Sequence, residues 1–133
     1  MRVRVTMVLL ALAAVTACND AGTGPLASPT SLQVMLSTPQ SDDGAVVITL
    51  RGPDVSDLQP ATPAYLAYTR SAGTQEARII VLGNLTAGPL VTLTIGPGHK
   101  LSDYLATIEQ VATRADALRG DISGYRLTVT PRP

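Results

Sequence analysis

The chain has 133 residues, ten Lys and Arg against ten Asp and Glu, one His, one Cys, 3% aromatic residues and neither Trp nor Phe. That length suits one domain of ordinary size, and the sparse, balanced charge lacks the basic face that phosphate neutralisation demands, which argues against nucleic acid as a partner. A single His and a single Cys exclude an intrachain disulfide and any zinc site built from several such ligands.

The N-terminus opens with the cationic stretch Met1-Arg2-Val3-Arg4. An apolar run of eleven residues follows, from Val5 to Val15, and then the small residues Thr16 and Ala17 before Cys18. This is the plan of a signal peptide, with a basic start, an apolar helix and small residues at the cut. Eleven residues at about 1.5 Å of helical rise cover only about half of a roughly 30 Å bilayer core, so the run is no permanent span.

Val15-Thr16-Ala17-Cys18 resembles the lipobox of bacterial lipoproteins. The resemblance implies a diacylglyceryl group on the Cys18 sulfur, cleavage between Ala17 and Cys18, and acylation of the new amino group. A thiol is needed because the lipid is joined as a thioether. An ordinary secretory signal with a Cys near the cut is the alternative. Because one acyl chain holds a protein only marginally, two or three are needed for stable attachment, and the membrane, reached through the acyl chains on Cys18, is then the first expected partner. Asn19, where an Asp would favour inner-membrane retention, makes the outer membrane the modest favourite in a cell with two membranes. Loss of residues 1–17 removes Arg2 and Arg4 and leaves eight basic against ten acidic residues.

Residues 18–31 are small, polar and rich in Gly and Pro; with little apolar surface to bury, they are read as a flexible tether after the lipidated Cys. The folded domain is expected over 32–131, enough chain for one core. Within it, short β-type runs alternate with turn residues. Leu32–Leu36 is a first strand, followed by a polar turn from Thr38 to Gly44. Ala45–Arg51 is a second, stopped by Gly52-Pro53. Pro60 and Pro63 then disfavour both helix and central strand. Tyr65–Arg70 is a third strand with a turn at Ser71–Thr74, Arg78–Leu82 is a fourth with a turn starting at Gly83-Asn84, and Pro89–Ile95 is a fifth. Tyr125–Thr130 closes the domain. Strands about ten residues apart with Gly and Pro between them predict an all-β chain, an antiparallel sandwich.

Residues 102–119 are ambiguous. Leu101, Leu105, Ile108, Val111 or Ala112, Ala115 and Leu118 recur at helical spacing, with Ser102 as an N-cap and Gly120 as a stop. The β-branched Thr107, Ile108, Val111 and Thr113 argue for a strand. Gly44–Val55, Ala77–Leu82 with Gly88–Ile95, and Tyr104–Ala112 with Gly124–Val129 together resemble the strand order of a shortened cohesin-type domain. Ser41–Val46 and Gly124–Val129 are similar to stretches of small bacterial lipoproteins. The resemblance implies a cohesin-like, jelly-roll-like sandwich, a strand over 104–111 and a protein-interaction module, and it carries no binding residues onto this chain.

Candidate chemistry is thin. Asp42-Asp43 could serve a calcium ion, but the alternating ligands of a calcium loop are missing and a solvated turn is the simpler reading. Asp54 and Asp57 are explained equally well as loop carboxylates. His99 lies in an apparent turn, with no nucleophile motif in the chain. Arg114 and Arg119 with Asp116 and Asp121 read as a mixed-charge surface, and Asn84-Leu85-Thr86 as a chance glycosylation sequon. The four rings, Tyr65, Tyr68, Tyr104 and Tyr125, are the only candidates for a sugar platform. Tyr65 and Tyr68, three apart, point to opposite faces of a strand, and each Tyr is expected at the edge of the core with its hydroxyl in water. The expected function is therefore a lipid-anchored, extracytoplasmic, non-enzymatic sandwich with a structural or protein-binding role in the cell envelope, with no cofactor or metal. The alternative is a small carbohydrate- or ligand-binding lipoprotein.

Overall fold

Leu32, Val34 and Leu36 occupy alternate positions, as do Val46, Ile48 and Leu50, and Ala77, Ile79 and Val81. In an extended chain this places each set on one face of its strand, and all nine are buried. The structure is a computed structural model and describes residues 30–133. The signal segment, most of the tether, and Ala17 and Cys18 lie outside the described residues.

Eight strands result: β1 (Thr30–Ser37), β2 (Asp43–Arg51), β3 (Leu58–Pro60), β4 (Leu66–Ser71), β5 (Glu76–Leu85), β6 (Gly88–Ile95), β7 (Leu105–Thr113) and β8 (Arg126–Pro131). They form two four-stranded antiparallel sheets, ordered β3-β6-β1-β8 and β4-β5-β2-β7. One core cluster draws on both sheets, so the pair is sandwich-like. The chain stays in one sheet only at the β4–β5 hairpin; every other connection crosses to the opposite sheet. Thr30, Arg51, the 72–75 turn and Pro131 therefore lie at one pole. The 38–42 turn, Leu66 and the 114–125 connection lie at the other.

The expected strands are present with shifted ends. β1 begins at Thr30, inside what reads as tether, and β5 runs on through Gly83-Asn84, where the sequence suggests a turn. Strand continues there because Gly83, at φ 149°, lets the backbone pass beneath the Tyr65 ring; a Cβ would stand 2.9 Å from Tyr65 Cδ1. Pro60 is tolerated because β3 is a three-residue margin strand, and Pro89 because β3 pairs with β6 only from Val91 to Leu93.

The ambiguous segment is a strand, β7, as the resemblance implies. Between Val47 and Ile48 its register against β2 slips, from Gln110 to Ile108, and leaves Glu109 as the extra residue of a bulge. Inward positions thus fall at Ala106, Ile108 and Val111, with spacings of two and then three, which imitates a helical repeat. Leu105 and Leu118, which would share the apolar face of such a helix, are 59% and 69% exposed.

Candidate functional site

The residues singled out from the sequence scatter. Asp54 and Asp57 are exposed, and Asp54 accepts a bond from Ser56 Oγ (2.9 Å). Asp121 accepts from the Ser123 N–H (2.8 Å), and that bond holds its carboxyl below the usual range. The His99 ring has no side-chain hydrogen-bond partner among the described residues; its backbone N–H turns back to Gly96 O (3.4 Å). Three of the four tyrosines are in the core, and their hydroxyls meet protein instead of water. Tyr104 donates to Pro53 O (2.6 Å), Tyr125 donates to Asp43 Oδ1 (2.8 Å), and Tyr65 accepts from the Thr86 N–H (3.4 Å). Only Tyr68 presents its ring, at 58% exposure, so no two-ring platform forms.

Asp42 ends an exposed turn, as expected, but Asp43 is not solvated. Asp43 opens β2 and is fully buried. Thr38 Oγ1 donates to its Oδ2 (2.6 Å), and Arg119 Nε and the Tyr125 hydroxyl both donate to its Oδ1 (2.8 Å each). Arg119 also donates to Asp42 through Nη2, so Arg119 belongs to this cluster and not to an open mixed-charge surface.

The local chain path delivers these groups. After β7 the chain turns at Asp116 (φ 61°), and residues 117–119 return beside the strand end. Ala117 O accepts from the Thr113 N–H, the Arg119 N–H reaches Val111 O, and Leu118 bridges to Ala112. Arg114 caps the 38–42 turn, its N–H on Asp42 O (2.8 Å) and its Nη2 on Ser41 O (2.9 Å). The carboxylate therefore ties both sheets at one pole. Burial by itself would raise the Asp43 pKa; the bonds from Thr38, Tyr125 and Arg119 outweigh it and hold the group below the usual aspartate value. Burial, and then donation to Asp43, push the Tyr125 phenol up. With its oxygens taken by three donors and no route to solvent, Asp43 is a structural crosslink.

A second ionic group sits on the outer face of β2, β5 and β7. The bulge turns Glu109 toward Thr49 Oγ1 and Arg78 Nη2, which both donate to it. The Thr49 bond and the Arg78 charge hold the Glu109 carboxyl below its usual value, against a smaller opposing effect of burial. Arg78 is 55% exposed. Because solvent screens such a pair, Glu109→Ala is expected to lower unfolding free energy by less than about 1 kcal/mol, read from urea unfolding.

Beside that group lies a contiguous apolar surface. Cross-strand register puts Leu66, Leu82, Ala45 and Ala112 in one row, extended by Leu118, and Tyr68, Ile80, Val47 and Gln110 in the next. Leu66, Tyr68 and Ile80 are 58%, 58% and 40% exposed. Arg70 and Arg78 close one side. A signal for this face was available in the sequence: Val46-Val47-Ile48 and Ile79-Ile80-Val81-Leu82 are unbroken apolar runs, whereas an antiparallel strand with one solvated face alternates.

Comparison with protein-family models, with curated proteins and with solved structures finds no match to this chain.

Proposed function

We propose that the protein is a lipid-anchored, non-enzymatic sandwich module displayed outside the cytoplasm, and that it works by binding another protein of the envelope. The observation that carries the binding role is the outer face of β4-β5-β2-β7, where Leu66, Tyr68 and Ile80 stand open to solvent beside Arg70 and Arg78. A contiguous apolar patch rimmed by charge is characteristic of protein contact surfaces. The resemblance of the stretches from Gly44 to Val129 to the sequence of a shortened cohesin-type domain supports the same role. The anchor rests on Val15-Thr16-Ala17-Cys18 and on the tether that follows. Thr30 enters β1 at the pole away from Leu66 and Leu118, so the first apolar row lies at the end of the domain remote from the start of β1.

Two experiments test the two halves of this reading. Cys18→Ser is expected to stop cleavage after Ala17 and to abolish incorporation of labelled fatty acid; unchanged processing and labelling overturn the anchor. For the binding role, the detergent-solubilised protein is used as bait in envelope extracts. A partner lost with both Tyr68→Asp and Ile80→Asp supports the face, and a partner retained by both variants overturns it.

A further inference from the structure

Three of the four sheet margins are blunted against strand addition. β3 has three residues and ends in Pro60, β8 ends in Pro131, and β7 carries the Glu109 bulge and is partly covered by residues 117–119. The fourth margin, β4, has none of these protections. It pairs with β5 over six residues without a register shift, contains no Pro, and is exposed at Leu66, Tyr68, Thr69, Arg70 and Ser71. Its inner side is thinly covered: Ala67 packs against the core and β3 lies nearby, while Thr69 and Ser71 are exposed.

The phase of the free edge follows from the hairpin. The Ala72 N–H donates to Glu76 O (2.8 Å). In an antiparallel ladder the pairs that exchange hydrogen bonds alternate, so Arg70, Tyr68 and Leu66 turn their backbone groups toward β5. Ala67, Thr69 and Ser71 turn theirs outward. Arg70 stands directly across from Arg78, a repulsive arrangement in a sheet. Glu109 is taken by Arg78 and Thr49, and Arg70 makes no ion pair among the described residues.

We propose that β4 pairs antiparallel with β4 of a second copy about a two-fold axis at Thr69, joining two four-stranded sheets into one of eight strands. Ala67 then lies opposite Ser71, and Thr69 opposite its own counterpart. This symmetric register uses all three outward-facing residues; sliding by two residues in either direction leaves at least one unpaired. On the outer face it sets Tyr68 opposite Arg70 of the second copy, and by symmetry does so twice. Each uncompensated guanidinium thereby gains an aromatic face, and the contact is isologous. The proposal goes beyond the envelope-partner reading and does not depend on it: it shares Tyr68 and Arg70 with that surface but rests on the free backbone edge of β4.

A strand edge of this length buries less than a standard interface, so the contact is best trapped covalently in cells making the full chain. With Thr69→Cys, the paired Cα atoms stand about 5.5 Å apart, within disulfide reach. Diamide treatment is expected to give a dimer on a non-reducing gel beyond any band that Cys18 gives in the unsubstituted chain. Ser71→Cys alone should not crosslink, its two copies being about 14 Å apart in this register. Co-expressed, differently tagged Ala67→Cys and Ser71→Cys chains should form a mixed dimer. Adding Arg70→Glu to Thr69→Cys should cut the yield about fivefold. No Thr69→Cys dimer above the control band, or a Ser71→Cys dimer as strong as that of Thr69→Cys, overturns the proposal.

Discussion

Asp43→Ala is expected to lower the free energy of unfolding by about 3–5 kcal/mol, the usual cost of removing one partner from a buried ionic cluster. Set against a total of about 5–15 kcal/mol for a domain, that is a large fraction. The substitution deletes the acceptor for Thr38, Arg119 and Tyr125 together. Tyr125 is 8% exposed and the Arg119 side chain 17%, so neither is well placed to recover its bond from water. Tyr125→Phe removes one neutral donor from the same carboxylate and should cost less, about 1–2 kcal/mol. Urea unfolding followed by tyrosine fluorescence measures both. An Asp43→Ala loss under about 1 kcal/mol would show that the carboxylate is not a crosslink.

The same cluster contributes to acid sensitivity, alongside Glu109 and Asp121, whose carboxyls are also held low. The Asp43 pKa is depressed in the fold, so its contribution is complete above the unfolded value, near 4. It is lost as pH falls through the depressed folded value. The unsubstituted protein should therefore lose stability steeply on acidification below about pH 4. Asp43→Ala should show a shallower slope over that range, since it has already lost the group that must be protonated.

Gly52→Ala is expected to cost about 1–3 kcal/mol, the range for overpacking a filled site. A Cβ at position 52 would stand 2.3 Å from Tyr104 Cδ1 and 2.7 Å from its Cε1, so the ring lies directly on the glycine. Tyr104 is 6% exposed and its hydroxyl is held by Pro53 O, which leaves it no room to retreat. A thermodynamic cycle isolates the contact. On a Tyr104→Ala background the new methyl has space, so Gly52→Ala should cost clearly less, the remainder being backbone strain at φ 158°. An equal cost on both backgrounds would place the strain elsewhere.

Much of the fold was legible because antiparallel strands write their burial at alternate positions. β1 and β2 show this directly: Leu32, Val34 and Leu36, then Val46, Ile48 and Leu50, are apolar at every second residue and face the core. β7 was obscured because a bulge inserts Glu109 and shifts the alternation by one residue, and a spacing of two then three resembles a helical turn. The end of β5 was obscured because Gly83-Asn84 has the composition of a turn, whereas the glycine serves the close approach of Tyr65. Leu90 and Val91 are both buried for a related reason: the register of β6 against β1 slips between Val34 and Met35, which leaves Leu90 as an extra residue.

By itself the sequence determined the all-β class, the order of most strands and the scarcity of His and Cys, because these follow from local pattern and composition. It also contains Val15-Thr16-Ala17-Cys18, the stretch on which the proposed anchor rests. Tertiary structure alone decided the fates of Asp43, Arg119 and Tyr125, which are as much as 82 residues apart and meet only when the two sheets close. It likewise decided that Tyr68 is exposed while Tyr65 is buried, and that β4 is the unprotected margin. Those properties depend on which strands become neighbours and on what the opposite sheet covers. Pairing across long stretches of chain is settled by the packing of the whole core, and short-range periodicity holds no record of it.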